Sequence, residues 1–171
     1  MNKKWIRLVL VVLSIFVLAV AVSGCSKVAD KAAEKAIETS TGGKADVDLG
    51  KNEITVKTDE GTTKMGGTQE WPAKIPADVP KFTSGKITSV VESTPAAGGY
   101  QAMVGYEGAT MADIEKYKSQ LEAAGWKVTT TTKIEDGYMV AAEKEKRNIV
   151  ESFSGKTETG YTGGIYYTEE K

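Results

Sequence analysis

TMADIEKYKSQLEAAGW, residues 110–126, is the stretch on which the fold turns. Thr110 is a natural N-cap, because its hydroxyl can accept from a backbone N–H two or three residues on, and Asp113 stands at the third helical position, where the positive end of the helix dipole favours an acid. Ile114, Tyr117, Leu121 and Ala124 recur at helical spacing and form one apolar stripe. Gly125 supplies the left-handed C′ residue, and Trp126 just beyond it can fold back on Leu121. The segment predicts a helix with one face that needs a cover.

Strand patterns lie on both sides of it. Residues 86–92 and 100–106 alternate, with Tyr100, Ala102, Val104 and Tyr106 on one face and a loop holding Pro95 and Gly98-Gly99 between the runs. After the helix come residues 127–134, a turn at Glu135-Asp136-Gly137, and residues 138–143; an Asp-Gly turn between alternating runs is a strong hairpin signal. Residues 147–153 and 165–168 give two further strands, and the Gly- and Thr-rich stretch 154–164 reads as a loop between them. Strand, strand, helix and up to four strands describe an α+β domain over residues 71–171: an antiparallel sheet with one main helix packed on a face.

Upstream, Pro72, Pro76 and Pro80 recur at every fourth position. Each disfavours the α region at the residue before it, so residues 71–80 are extended, and Trp71, Ile75 and Val79 are expected along the body of the domain. A proline-rich ligand for an aromatic groove is the alternative reading. Residues 44–70 form a small β-hairpin and linker. Val47 and Leu49 precede Gly50-Lys51-Asn52, Ile54 and Val56 follow, a third short strand can start after Asp59-Glu60-Gly61, and residues 62–70 have linker composition. Residues 26–39 read as a tether helix ended by Ser40-Thr41-Gly42-Gly43, with Val28, Ala32 and Ala36 on one face and Ala29, Ala33 and Ile37 beside them. Its stripe is mostly Ala, so it serves as a spacer, with self-association as the alternative.

The chain opens with a basic segment, Lys3, Lys4 and Arg7, and an apolar run over residues 8–22 broken only by Ser14. A run near fifteen residues is short for a bilayer, which needs about 20, and the layout is that of a secretory leader. Its last residues, Val22-Ser23-Gly24-Cys25, resemble a bacterial lipobox. That resemblance implies recognition of Val22, Ser23 and Gly24 by a signal peptidase, loss of residues 1–24, and a lipid on Cys25 that holds residues 25–43 and the rest of the chain at a membrane. Two or three acyl chains anchor firmly where one anchors marginally. Ser26 after the anchor, with no Asp there, resembles lipoproteins released to an outer membrane. In a host with one membrane the expected address is the outer face of the plasma membrane.

Composition excludes several function classes. The formal charge is -1 with the leader, so there is no basic footprint for nucleic acid. Histidine is absent and Cys25 is the single cysteine, which removes the commonest general base, the commonest transition-metal ligand and any disulfide. Asp46 and Asp48 alternate as in a calcium loop, but the turn glycine and the bidentate glutamate of that loop would fall at Lys51 and Lys57. Gly155-Lys156-Thr157 matches the end of a phosphate loop without its leading glycine or its strand-loop-helix setting. No cofactor, metal or catalytic residue is expected, and the chain is read as a non-enzyme.

The mature chain resembles a group of uncharacterised bacterial lipoproteins. The resemblance rests on Ala33-Glu34-Lys35-Ala36-Ile37-Glu38 with Thr41-Gly42-Gly43, on Trp71-Pro72 through Asp78-Val79-Pro80, and on Tyr117 through Leu121 to Ala124-Gly125-Trp126. It implies an envelope lipoprotein with a binding or structural role, its partner an envelope protein or a small ligand. The alternative is a glycan- or small-ligand-binding lipoprotein that uses the open face of its sheet. Residues 129–132 are four successive threonines, and in an unbroken strand Thr129, Thr131 and Lys133 share the face away from Val128 and Ile134. Those three residues are the candidate binding face.

Overall fold

The computed structural model describes residues 27–48, 51–67 and 69–171. Val22, Ser23, Gly24 and Cys25 lie outside the described residues. Helix α1 (Lys27–Ser40) is followed by strands β1 (Ala45–Asp48), β2 (Glu53–Thr58), β3 (Gly61–Gly66), β4 (Lys86–Pro95) and β5 (Tyr100–Ala109). Helix α2 (Met111–Ala123) and strands β6 (Lys127–Ile134), β7 (Gly137–Lys144), β8 (Arg147–Thr157) and β9 (Gly160–Glu169) complete the chain. Among the described residues nine strands form one antiparallel sheet in the order β1-β2-β3-β4-β5-β9-β8-β7-β6.

This corrects the α+β description. Among the described residues the protein is sheet-dominated, with two short helices, and the hairpin expected as a satellite is part of the same ladder. Two misread stretches account for the difference. Residues 61–66 have linker composition, yet they pair with β2 on one side and β4 on the other, with Lys64 between Thr55 and Glu92. Thr62 and Thr63 have the strand propensity to accept that place. The glycines of residues 154–164 predict a loop, but 154–157 and 160–164 are the end of β8 and the start of β9, joined by a turn at Glu158-Thr159. Gly163 is opposite Phe153, and a Cβ there would stand 2.3 Å from the Ser152 carbonyl oxygen and 2.7 Å from the Phe153 ring. Glycine is required by that close approach; it does not mark a break in the strand.

The core lies on one face of the sheet. Val90, Val104, Ile165, Glu151 and Val140 form one cross-strand row, and Ala102, Tyr167, Ile149 and Ala142 the next. Helix α2 lies over β6 and β7 on this face, with Ile114, Tyr117 and Leu121 fully buried. Its ends form as the sequence predicts. Thr110 Oγ1 accepts from the Asp113 N–H at 3.2 Å and donates to its carboxylate at 2.6 Å. At the other end Gly125 has φ +81, Trp126 N–H donates to Leu121 O and Gly125 N–H to Glu122 O, both at 3.0 Å. This is the Schellman closure, and it leaves Trp126 only 3% exposed.

Residues 71–82 complete the cover. Ile75, Val79 and Phe82 are buried. The segment is not extended as expected: Ile75 N–H donates to Pro72 O at 3.2 Å and Val79 N–H to Pro76 O at 3.0 Å, so each of these prolines opens a tight turn, and the other carbonyls over the core must be satisfied from elsewhere. Trp126 Nε1 donates to Asp78 O at 3.2 Å, Tyr117 OH to Pro80 O at 2.8 Å and Tyr106 OH to Phe82 O at 3.1 Å. Arg147 grips the Asp78 carboxylate with two nitrogens at 2.7 and 3.0 Å, and Lys144 Nζ adds a third bond at 2.8 Å. The Arg147 hydrogen bonds, then that of Lys144, pull the Asp78 carboxyl down to about 2.

The opposite face has little cover. Helix α1 lies against β1, where Ala45 and Val47 are buried outside the main core. In α1 it is Ala33 and Ile37 that are half-buried, while Ala32 and Ala36 are exposed. Among the described residues no helix is long and apolar enough to cross a membrane.

Candidate functional site

The threonine run does not form the expected face. Strand β6 is the sheet edge, and its register on β7 shifts between Val128 and Thr130. Beyond this bulge Thr131 is opposite Val140 and Lys133 opposite Tyr138, both of them core residues. Thr131 and Lys133 therefore share the face that carries α2, and Lys133 pairs with Glu115 of that helix. Thr129 sits at the bulge, its hydroxyl donating to Ala141 O at 3.2 Å. One inserted residue exchanges the two faces of a strand, so the three residues do not make one surface. Asp48 ends β1 by accepting from the Lys51 N–H at 3.1 Å, and Gly155-Lys156-Thr157 is strand, with Thr157 Oγ1 donating to Gly160 O at 2.8 Å.

A concave site lies elsewhere. Strands β1 to β3 reach past the ground that α2 covers, and residues 71–74 run beside them as a wall. Between the two is a cleft of about 550 Å³, within the 300–1,000 Å³ usual for small-molecule sites. Glu53, Lys64, Val90 and Glu92 form its floor, and Trp71, Pro72 and Lys74 its wall, with Lys51 and Glu70 at the mouth. The floor residues come from three strands and point the same way because each is in register with its neighbour or two residues from one that is.

Charges in the cleft are balanced and mostly held. Lys64 Nζ bonds Glu53 Oε2 at 2.8 Å, and Lys51 pairs with Asp48 at 3.1 Å. Tyr100 OH donates to Glu92 Oε1 at 2.5 Å. Burial first and the Glu92 carboxylate second push the Tyr100 hydroxyl far above its ordinary range, so it stays a donor. Lys74 Nζ lies 5.5 Å from the centre of the Tyr100 ring, and among the described residues it has no carboxylate partner. Trp71 is half-buried, resting on the core with part of its surface free. An aromatic surface, two fixed carboxylates and a loosely held ammonium can stack a ring and hydrogen-bond hydroxyl, amide or amine groups. The sequence does not reveal this site because Lys64, in the middle of its floor, lies in a stretch of linker composition. The alternation Thr62-Thr63-Lys64-Met65 was the available signal.

Glu151 was also missed. It is 0% exposed, and neither carboxylate oxygen has a hydrogen-bond partner among the described residues. Its place in Ile149-Val150-Glu151-Ser152-Phe153 is one where period 2 demands an apolar residue. Burial raises its carboxyl to about 8.

No family model matches the chain, and no curated protein or solved structure is similar to it.

Proposed function

We propose that this chain is a lipid-anchored envelope protein that acts by binding, without turnover, and that the cleft between β2–β4 and residues 71–74 receives a small polar ligand of sugar or peptide character. The lipobox-like Val22-Ser23-Gly24-Cys25 supports the anchor, and the absence of histidine supports binding over catalysis. The observation that carries the site is the convergence of Trp71, Lys74, Glu53 and Glu92 on one concavity, the usual mix of an apolar platform and a few placed polar groups.

The reading moves the alternative of a ligand-binding sheet from the threonine run to this cleft. Titrating the protein with a panel of cell-wall oligosaccharides and peptides, followed by tryptophan fluorescence, tests it. Saturable binding that Trp71→Ala abolishes and Lys74→Ala weakens is the expected result. Binding indifferent to both substitutions, or hydrolysis of any panel member, refutes it.

A further inference from the structure

The face of the sheet opposite the core carries a pattern of its own. On the four central strands, β4, β5, β9 and β8, three adjacent cross-strand rows contain no charged residue, in a chain that is 26% charged. The middle row is a ridge of Val91, Met103, Tyr166 and Val150, with Met103 45% and Tyr166 40% exposed. On one side of it Ser89, Gly105, Gly164 and Ser152 form a trough with almost no side chain. On the other side Ser93, Gln101, Thr168 and Asn148 are polar and uncharged. The ridge continues through Met65 and Ile54 and ends at Val47, beside α1.

We infer that this face is the seat of a second copy of the same chain, packed sheet on sheet about a two-fold axis that runs along the strands between β5 and β9. Three arguments lead there. Loss of charge with retention of Met and Tyr is the compositional mark of an interface core, and a neutral face meets no repulsion from its own copy. A two-fold axis along the strands places the same patch on both sides at one height, so Met103 of each copy lies over Tyr166 of the other and the two ridges meet. The area suffices: the eight strands from β2 to β6 at about 4.8 Å and three rows at about 7 Å give about 800 Å² of flat face per copy, with Glu143 and Lys127 at its rim, and a standard interface takes ~800 Å² per partner.

The placement also agrees with the rest of the molecule. That axis lays β2 over the partner's β6 and leaves β1, with its covering α1, beyond the partner's edge. The clefts lie on the outward faces. Any two-fold keeps corresponding atoms at one height along its axis, so both amino-terminal anchors can enter one bilayer. The anchor comes from the proposed function; the interface itself does not depend on it.

Cysteine crosslinking in membranes of cells producing the full chain tests the inference. Met103→Cys is compared with Ser119→Cys, on the exposed side of α2, and with the parent chain, whose sole thiol is Cys25. Sheets stack about 10 Å apart, so a bismaleimide of about that span should convert most of the Met103→Cys chain to twice its mass, leave Ser119→Cys at the parent level, and lose its effect when Tyr166→Glu is added. An unchanged urea midpoint in the double variant shows that the fold survives. Crosslinking of Met103→Cys no better than Ser119→Cys overturns the inference, as does a product of any mass other than the doubled chain. Doubling of the parent itself would report a free Cys25 and count against the anchor alone.

Discussion

Replacing Glu151 by leucine should make the protein more stable and remove most of its sensitivity to alkaline pH. The carboxyl is wholly buried without a partner, flanked by Val140 and Ile165 in its row and close enough for its charge to act on Tyr117 and Tyr138. A charge there has nothing to replace water, so the folded state holds the proton. The folded value near 8 lies above the ordinary 4.5. Between those values the native state binds more protons than the unfolded one, and stability therefore falls as pH rises through this window. The full difference is about 5 kcal/mol at ~1.4 kcal/mol per unit, of which about 4 falls between pH 5 and pH 9. That is a large share of the roughly 5–15 kcal/mol that holds a domain together.

Urea titrations at pH 5 and pH 9, read by the fluorescence of buried Trp126, measure the effect. At an m-value near 2 kcal/mol/M, the parent midpoint should drop by about 2 M. The chain has no histidine, so no side chain of ordinary pKa titrates in the middle of that interval and the drop can be assigned. Glu151→Leu should shift little between the two pH values and exceed the parent at both. Glu151→Gln should also lose the pH dependence, yet gain less, because its amide stays unpaired. An equal drop in Glu151→Leu and the parent would refute the reasoning.

Other consequences are as direct. Leu121→Ala should cost about 2–5 kcal/mol and Trp126→Ala about 3–5, read as lower thermal midpoints; unchanged midpoints would mean that the Schellman end of α2 is not packed. Asp78 has its carboxyl held down by Arg147 and Lys144, so its contribution is present above the ordinary 3.8 and is lost as pH falls toward 2; Asp78→Asn should lower the midpoint at pH 7 and flatten that acid limb. Because β3 pairs on both sides, limited proteolysis should cut first within residues 67–71 and spare 61–66, and a fragment beginning at Trp71 should be less stable than the longer chain, since it bares the edge of β4. Mass spectrometry of the chain from a bacterial envelope should find residues 1–24 gone and Cys25 acylated; an intact leader with a free thiol would remove the anchor.

The parts of this fold legible in the sequence are those where local chemistry acts alone. Helix α2 has its cap, its stripe and its C′ glycine within seventeen consecutive residues, and no distant contact was needed to place them. Residues 71–80 were recognisable as non-helical because proline restricts its own neighbourhood, but they are not extended: Pro72 and Pro76 each open a tight turn. Their hold on the core was not legible, since the donors to Asp78, Pro80 and Phe82 come from residues 24 to 48 positions away. The threonine face failed for a third reason. Period 2 assigns faces only while the ladder is unbroken, and a bulge at Thr129 leaves no mark in a run of four identical residues.

The two misread stretches share a cause that bears on function. Glycine and threonine are common in loops, but in both places they serve a sheet that extends beyond its apolar core. Tyr106 and Phe153 fill the space over Gly163 from the core side, while Thr62 and Lys64 form a ladder with no helix above it. A strand that buries no apolar face contributes little hydrophobic stabilisation, and β3 persists because both its edges are hydrogen-bonded. Its exposed upper surface, facing Trp71 across the cleft, is then free to carry Lys64 beside Glu53 and Glu92. The polar overhang that hid these residues from a reading based on hydrophobic period is the same feature that gives the molecule its concave site.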